Sequence, residues 1–95
     1  MPTALKPDEI TRRLSSLDGW TLQASEIRRT FNFKNYYETM AFVNAVAYLA
    51  HRADHHPDME VGYNKLTIRY STHSAGGVTE NDLAEAAKVD ALAKR

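Results

Sequence analysis

Apolar and polar positions change period several times along this chain, and each change marks an element. Ile10, Leu14 and Leu17 recur at helical spacing behind Lys6-Pro7-Asp8-Glu9. Proline suits a first helical position, and Asp8 and Glu9 suit the positive end of the helix dipole. Leu5 and Ile10 are spaced to pack across that start as a hydrophobic staple, and Asp18-Gly19 is expected to end the helix. The period then falls to two. Trp20, Leu22 and Ala24 alternate with Thr21, Gln23 and Ser25. After a turn at Ser25-Glu26, Ile27, Arg29, Phe31 and Phe33 alternate with Arg28, Thr30 and Asn32. This is a hairpin with its aromatic residues inward. Arg29 breaks the apolar parity, either as an edge residue that snorkels outward or as an anion or substrate contact.

Asn35 can cap a long helix whose stripe is Tyr36, Met40, Val43, Val46, Ala47 and Ala50, broadened by Phe42 and Leu49. The helix should run to Arg52 or Ala53. Met59, Val61 and Tyr63 then alternate with Glu60 and Gly62, Asn64-Lys65 turns the chain, and Leu66, Ile68 and Tyr70 alternate with Thr67 and Arg69. Ser74-Ala75-Gly76-Gly77 reads as loop. Thr79 and Asp82 have capping-box spacing, and Leu83, Ala86, Val89 and Ala93 give the last helix a thin apolar face. The order α-β-β-α-β-β-α predicts an α+β fold, a four-stranded antiparallel sheet with three helices on one face.

Length and composition narrow the function classes. Ninety-five residues make a single domain, 1–95, and twelve basic residues balance twelve acidic ones. That balance gives no pull toward nucleic acid or an anionic membrane. The absence of cysteine excludes disulfides, thiolate catalysis and Cys-based zinc sites. No basic-then-apolar leader follows Met1 and no apolar run is long enough to span a membrane, so a cytoplasmic protein is expected. A small sheet with two free edges favours self-association, hence a homo-oligomer.

Three of the four histidines fall within His51-Arg52-Ala53-Asp54-His55-His56-Pro57-Asp58, and the fourth, His73, lies in Ser71-Thr72-His73-Ser74. Imidazole exchanges protons freely near neutrality. If the second hairpin folds its end back beside its start, His73 meets His55 and His56, and two or three imidazoles around one cleft can give and take protons without a cofactor. Pro57 holds His56 extended, which points His55 and His56 in different directions. A metal is the rival reading. His51 and His55 have the four-residue spacing of a helical chelate, with Asp54 or Asp58 available, although Arg52 stands where an HExxH glutamate would be. Surface and capping histidines at a helix end are the third reading, and the residues alone do not decide among the three.

His51-x3-His55-His56-Pro57, followed at fixed spacings by Tyr63, His73 and Asp82, resembles the pterin-4a-carbinolamine dehydratases. Tyr63-Asn64-Lys65, Ser71-Thr72-His73, Gly19-Trp20, Arg29-Thr30-Phe31-Asn32-Phe33 and Met40-Ala41-Phe42-Val43 are similar too, so the resemblance spans Leu5 to about Ala91. It implies a hydro-lyase that dehydrates 4a-hydroxytetrahydropterin to the quinonoid dihydropterin, recycling the cofactor of aromatic amino acid hydroxylases. It implies no metal and no cofactor, a small pterin substrate, and a homodimer or homotetramer. His55, His56 and His73 become the catalytic histidines, and His51, Pro57, Asp58, Ser71, Thr72 and Asp82 the substrate-binding residues. Two positions differ from many members: His51 stands where many carry an acid, although the family pattern tolerates histidine there, and Met59 where animal members carry tryptophan. Animal members also serve as a dimerisation cofactor for a transcription factor, which makes a coactivator module the alternative from another class.

Overall fold

The sheet at the centre of the computed structural model, which describes residues 3–94, is antiparallel and four-stranded. Its strands are β1 (Thr21–Gln23), β2 (Glu26–Asn32), β3 (Asp58–Val61) and β4 (Lys65–Tyr70), in spatial order β1-β2-β4-β3. The helices are α1 (Pro7–Leu14), α2 (Tyr36–Ala53) and α3 (Glu80–Ala93). The two predicted hairpins therefore join through β2 and β4, with Ile27 opposite Tyr70, Arg29 opposite Ile68 and Phe31 opposite Leu66. Period-two alternation sends Ile27, Phe31, Leu66, Ile68 and Tyr70 to one face, where they pack with Ile10, Leu14, Val46, Leu83, Ala86 and Val89 of the helices. The opposite face carries polar cross-strand pairs such as Thr30 with Thr67. Burying each large aliphatic side chain contributes roughly 1.5–3 kcal/mol, so this shared face dominates the stability.

Several boundaries differ from the sequence reading, each for a local reason. α1 stops at Leu14, because the hydroxyls of Ser15 and Ser16 donate to the carbonyls of Arg12 and Arg13 and compete with further helix. The first hairpin turns at Ala24-Ser25, since Glu26 already pairs with Gln23, and Ala24 takes φ +54° and is exposed. Lys65 belongs to β4 opposite Asn32, leaving Gly62 to Asn64 as the second turn. Val61 and Tyr63 are exposed at the β3 edge.

On α2, Asn35 caps as expected by accepting from the Glu38 N–H, but the buried edge runs through Thr39, Val46 and Ala50. Tyr36 and Ala47 face outward. Thr39 can be buried because its hydroxyl bonds the carbonyls of Asn35 and Tyr63.

Arg29 does not snorkel outward; the anion that it contacts is a carboxylate of the chain itself. Its guanidinium donates to Asp90 Oδ1 at 2.7 Å and lies 4.2 Å from the centre of the Phe31 ring. Asp90 also accepts from Trp20 Nε1 at 2.7 Å and from the Asp18 N–H. One carboxylate near the end of α3 thus ties together the α1–β1 turn, β1's leading tryptophan and β2. Gly19 is required in that turn: its φ is +76°, and an added Cβ would sit 3.0 Å from Arg29 Nε. Ala93, expected on the apolar face of α3, is exposed, and Asp90 takes the inward position instead.

Replacing Asp90 with alanine strands a buried indole N–H and an arginine together, and should cost about 3–5 kcal/mol. Asp90→Asn, which keeps one acceptor, should cost less. Urea unfolding of the two variants checks the order, and equal small losses would refute the role given to this carboxylate.

Candidate active site

The end of α2 decides where the first histidines go. Asp54 adopts the left-handed conformation at φ +51°, ψ +42°, and its N–H donates to the His51 carbonyl. The His55 N–H then reaches back to the Ala50 carbonyl at 3.1 Å, completing a Schellman ending. Aspartate tolerates this conformation better than most residues. The chain leaves the helix axis there, so His51 and His55 do not share a helical face. His51 stays exposed on the last turn of α2, while His55 turns inward.

Asp82 meets it. This carboxylate has no solvent exposure, and its Oδ1 lies 2.5 Å from His55 Nε2. Its Oδ2 accepts from the Thr79 N–H and from the Thr72 hydroxyl, each at 2.8 Å. The capping box predicted for α3 is present, with Asn81 N–H donating to Thr79 Oγ1. Each hydroxyl has one proton, so the chain runs from Asn81 N–H to Thr79, from Thr79 to Thr72, and from Thr72 to Asp82. With Nε2 donating to Asp82, the neutral His55 ring carries its lone pair on Nδ1.

Thr72 continues the inward parity of β4, and that places His73 on the other side of the chain. Paired hydrogen bonds between Thr72 and Gly77 close a tight loop around the 3₁₀ turn His73–Ala75. His73 is exposed at its start. A cavity of about 440 Å³ is lined by Asp54, His55, His56, Pro57, Asp58, Ser71, Thr72, His73 and Ser74. The three histidines expected to meet do line one space. Of the other six expected residues, Pro57, Asp58, Ser71 and Thr72 line it and Asp82 stands behind His55; His51 does not line it. The hydroxyls of two lining residues are already engaged: Thr72 with Asp82, and Ser71 with the Ser25 carbonyl at 3.0 Å.

Among the described residues, no three His, Cys, Asp or Glu side chains converge as a metal cage. A larger groove, about 790 Å³, runs between β2, α2 and the end of α3, over Phe31, Phe33 and Phe42. It holds no histidine, so the smaller cavity is the better candidate for proton chemistry. Asp54 and Ser74 complete its rim; sequence had offered Asp54 only as a possible metal ligand and gave Ser74 no role. The Asp54-His55 step carries no apolar or spacing signal that distinguishes a left-handed helix ending from one more helical turn. Among the described residues no helix is long and apolar enough to cross a membrane.

Comparison with known proteins identifies a family for the chain. The family model for pterin 4 alpha carbinolamine dehydratase matches residues 3–92. A protein of Nitrosospira multiformis provisionally named a pterin-4-alpha-carbinolamine dehydratase is 57% identical over 93% of this chain and 78% of its own length. A Bdellovibrio bacteriovorus protein with the same provisional name is 54% identical over 95% of this chain and 78% of its own. Among solved structures, a transcriptional coactivator/pterin dehydratase from Brucella melitensis superposes with a TM-score of 0.91 at 35% identity, covering 96% of this chain and 99% of that one. A pterin dehydratase-like protein described as a RuBisCO assembly factor in the alpha-carboxysome gives 0.65 at 29% identity, covering 78% of this chain and 86% of that one.

Proposed function

The chain belongs to the pterin 4 alpha carbinolamine dehydratase family, and from that premise we propose that it dehydrates 4a-hydroxytetrahydropterin at the histidine cavity. The observation that carries the proposal is the gathering of His55, His56 and His73 around one space, with the buried carboxylate of Asp82 behind His55. The cavity volume lies within the ~300–1,000 Å³ usual for small-molecule sites.

The chemistry needs two proton transfers. The C4a–O bond breaks as the N5 lone pair forms the C4a=N5 double bond; the departing oxygen takes a proton and leaves as water, and N5 loses its own proton. One imidazolium donor and one neutral imidazole acceptor suffice. The tautomer that Asp82 imposes suits His55 to accept the N5 proton through Nδ1, with His73 donating to the hydroxyl across the cavity and His56 placing the ring. His51, Pro57, Asp58, Ser71 and Thr72 are proposed as substrate contacts, His51 from outside the cavity lining. Asp82 acts through His55. Recycling the pterin of an aromatic amino acid hydroxylase is the role this activity would fill. The coactivator and assembly-factor descriptions belong to the two structural neighbours; no observation on this chain favours either.

His55→Ala or His73→Ala should each lower the dehydration rate by about 10²-fold or more with the fold intact. Because both act on one elimination, the double variant should lose less than the product of the single losses. Full activity in both single variants would reject the assignment.

The same chemistry requires no Lewis acid. Activity on chemically generated substrate should survive dialysis against EDTA, and elemental analysis should find far less than one zinc per chain. Activity lost to the chelator and restored by zinc would revive the metal reading.

Self-association is proposed as well. β1 pairs with only Glu26 to Arg28 of β2, so the rest of that β2 edge is open, and exposed Tyr37 and Tyr48 lie on α2. Sedimentation at micromolar concentration should show a dimer or tetramer; a 10.7 kDa monomer alone would contradict it.

A further inference from the structure

Two buried polar atoms are left unused by the mechanism above. Tyr70, at the end of β4, is fully buried, and its hydroxyl has no hydrogen-bond partner among the described residues. Glu85 is buried on α3, three residues past Asp82. Its Oε2 accepts from Lys88 Nζ at 2.9 Å, whereas its Oε1 has no partner among the described residues. Burial first, then the charges of Glu85 and Asp82, push the Tyr70 phenol above its ordinary value. It therefore remains a neutral O–H donor, with two carboxylates in electrostatic reach.

The Tyr70 ring lies parallel to the His55 imidazole, 4° between planes with centroids 5.9 Å apart, an offset stack. It also packs against Trp20 at 6.1 Å, the indole that Asp90 holds. This supplies what Asp82 cannot. A single hydrogen bond at Nε2 fixes one atom of the imidazole but leaves the ring free to pivot about that bond. A flat, immobile face removes the pivot. Phenylalanine would provide the face as well, so the hydroxyl needs its own account: a buried unpaired donor is unfavourable, and so is a buried unpaired carboxylate oxygen.

We infer that Tyr70 is a positioning residue for His55, its ring setting the imidazole plane, and that Glu85 Oε1 is the acceptor that anchors the phenol through one water. The inference rests on the reading of His55 as a proton-transfer group. It makes the plane of His55, and hence the direction of its Nδ1 lone pair, a property of β4 and α3 together.

Tyr70→Phe, Tyr70→Leu and Glu85→Ala separate the two parts, each read by kcat, KM, thermal midpoint and the His55 ring signals in ¹H–¹⁵N spectra. Tyr70→Leu should lower kcat by about tenfold to a hundredfold, as expected for a reacting group misplaced by up to an ångström, with KM little changed. Its His55 signals should shift or broaden. Tyr70→Phe should restore most of both. Glu85→Ala should reproduce the small deficit of Tyr70→Phe, and the double variant Tyr70→Phe/Glu85→Ala should lose nothing further. Should Tyr70→Leu fail to fold, Tyr70→Met takes its place in the same readouts. A Tyr70→Leu protein with native kcat, or with a kcat loss and undisturbed His55 signals, would overturn the inference. The ring signals keep it testable even if the wild-type protein does not dehydrate the pterin, which would count against the proposed activity alone.

Discussion

Four groups depend on the carboxylate of Asp82: the start of α3, the hydroxyls of Thr72 and Thr79, and the ring of His55. A carboxylate with no solvent exposure is tolerable only if its lone pairs are filled, and here three donors fill them. The same need brings three separate pieces of chain to one point: the segment after α2, the segment after β4 and the first turn of α3. The histidine cavity lies between the first two. Its geometry is thus a by-product of satisfying one buried acid, and the site is as rigid as that acid's hydrogen bonds. Asp82 was open in sequence to a reading as helix cap or as site residue. The structure shows it capping the helix with one oxygen and meeting His55 with the other.

α3 carries a second buried acid, Asp90, which does for the other end of the helix what Asp82 does for the first. Between them lies Glu85. A helix that looks thinly apolar is instead fastened at its two ends by directional bonds, with Leu83, Ala86 and Val89 filling the space between. Small residues such as Ala86 allow the close approach that puts these carboxylates within reach of the sheet's side chains. Hydrophobic burial sets the layers, and the acids set where along the layers each strand and turn comes to rest.

Much of this was legible beforehand. Alternation in Ile27 to Phe33 and Leu66 to Tyr70, the Asn35 cap and the Thr79–Asp82 box each have a local cause, and local causes can be read from sequence. The proximity of the histidines followed from Pro57 opening a hairpin that His73 closes. What could not be read depends on partners distant in the chain. Asp90 looks like a solvent-facing residue until Trp20 and Arg29 are beside it. Thr72 looks like part of a polar run until the parity of β4 carries it inward. Ser15 and Ser16 shorten α1 through their own side chains, a competition that the apolar spacing of Leu14 and Leu17 conceals.

The left-handed residue at the end of α2 has one more consequence. Had Asp54 kept helical dihedral angles, His51 and His55 would stand one turn apart on a common face, a pair able to chelate a first-row transition metal. The sign of one backbone torsion instead sends one imidazole out to water and the other in toward a carboxylate. Identical side chains at the spacing of a helical chelate therefore take opposite directions and form no pair on a common face. Whether two histidines four apart can act as a pair is decided here by the main chain, not by the choice of side chains.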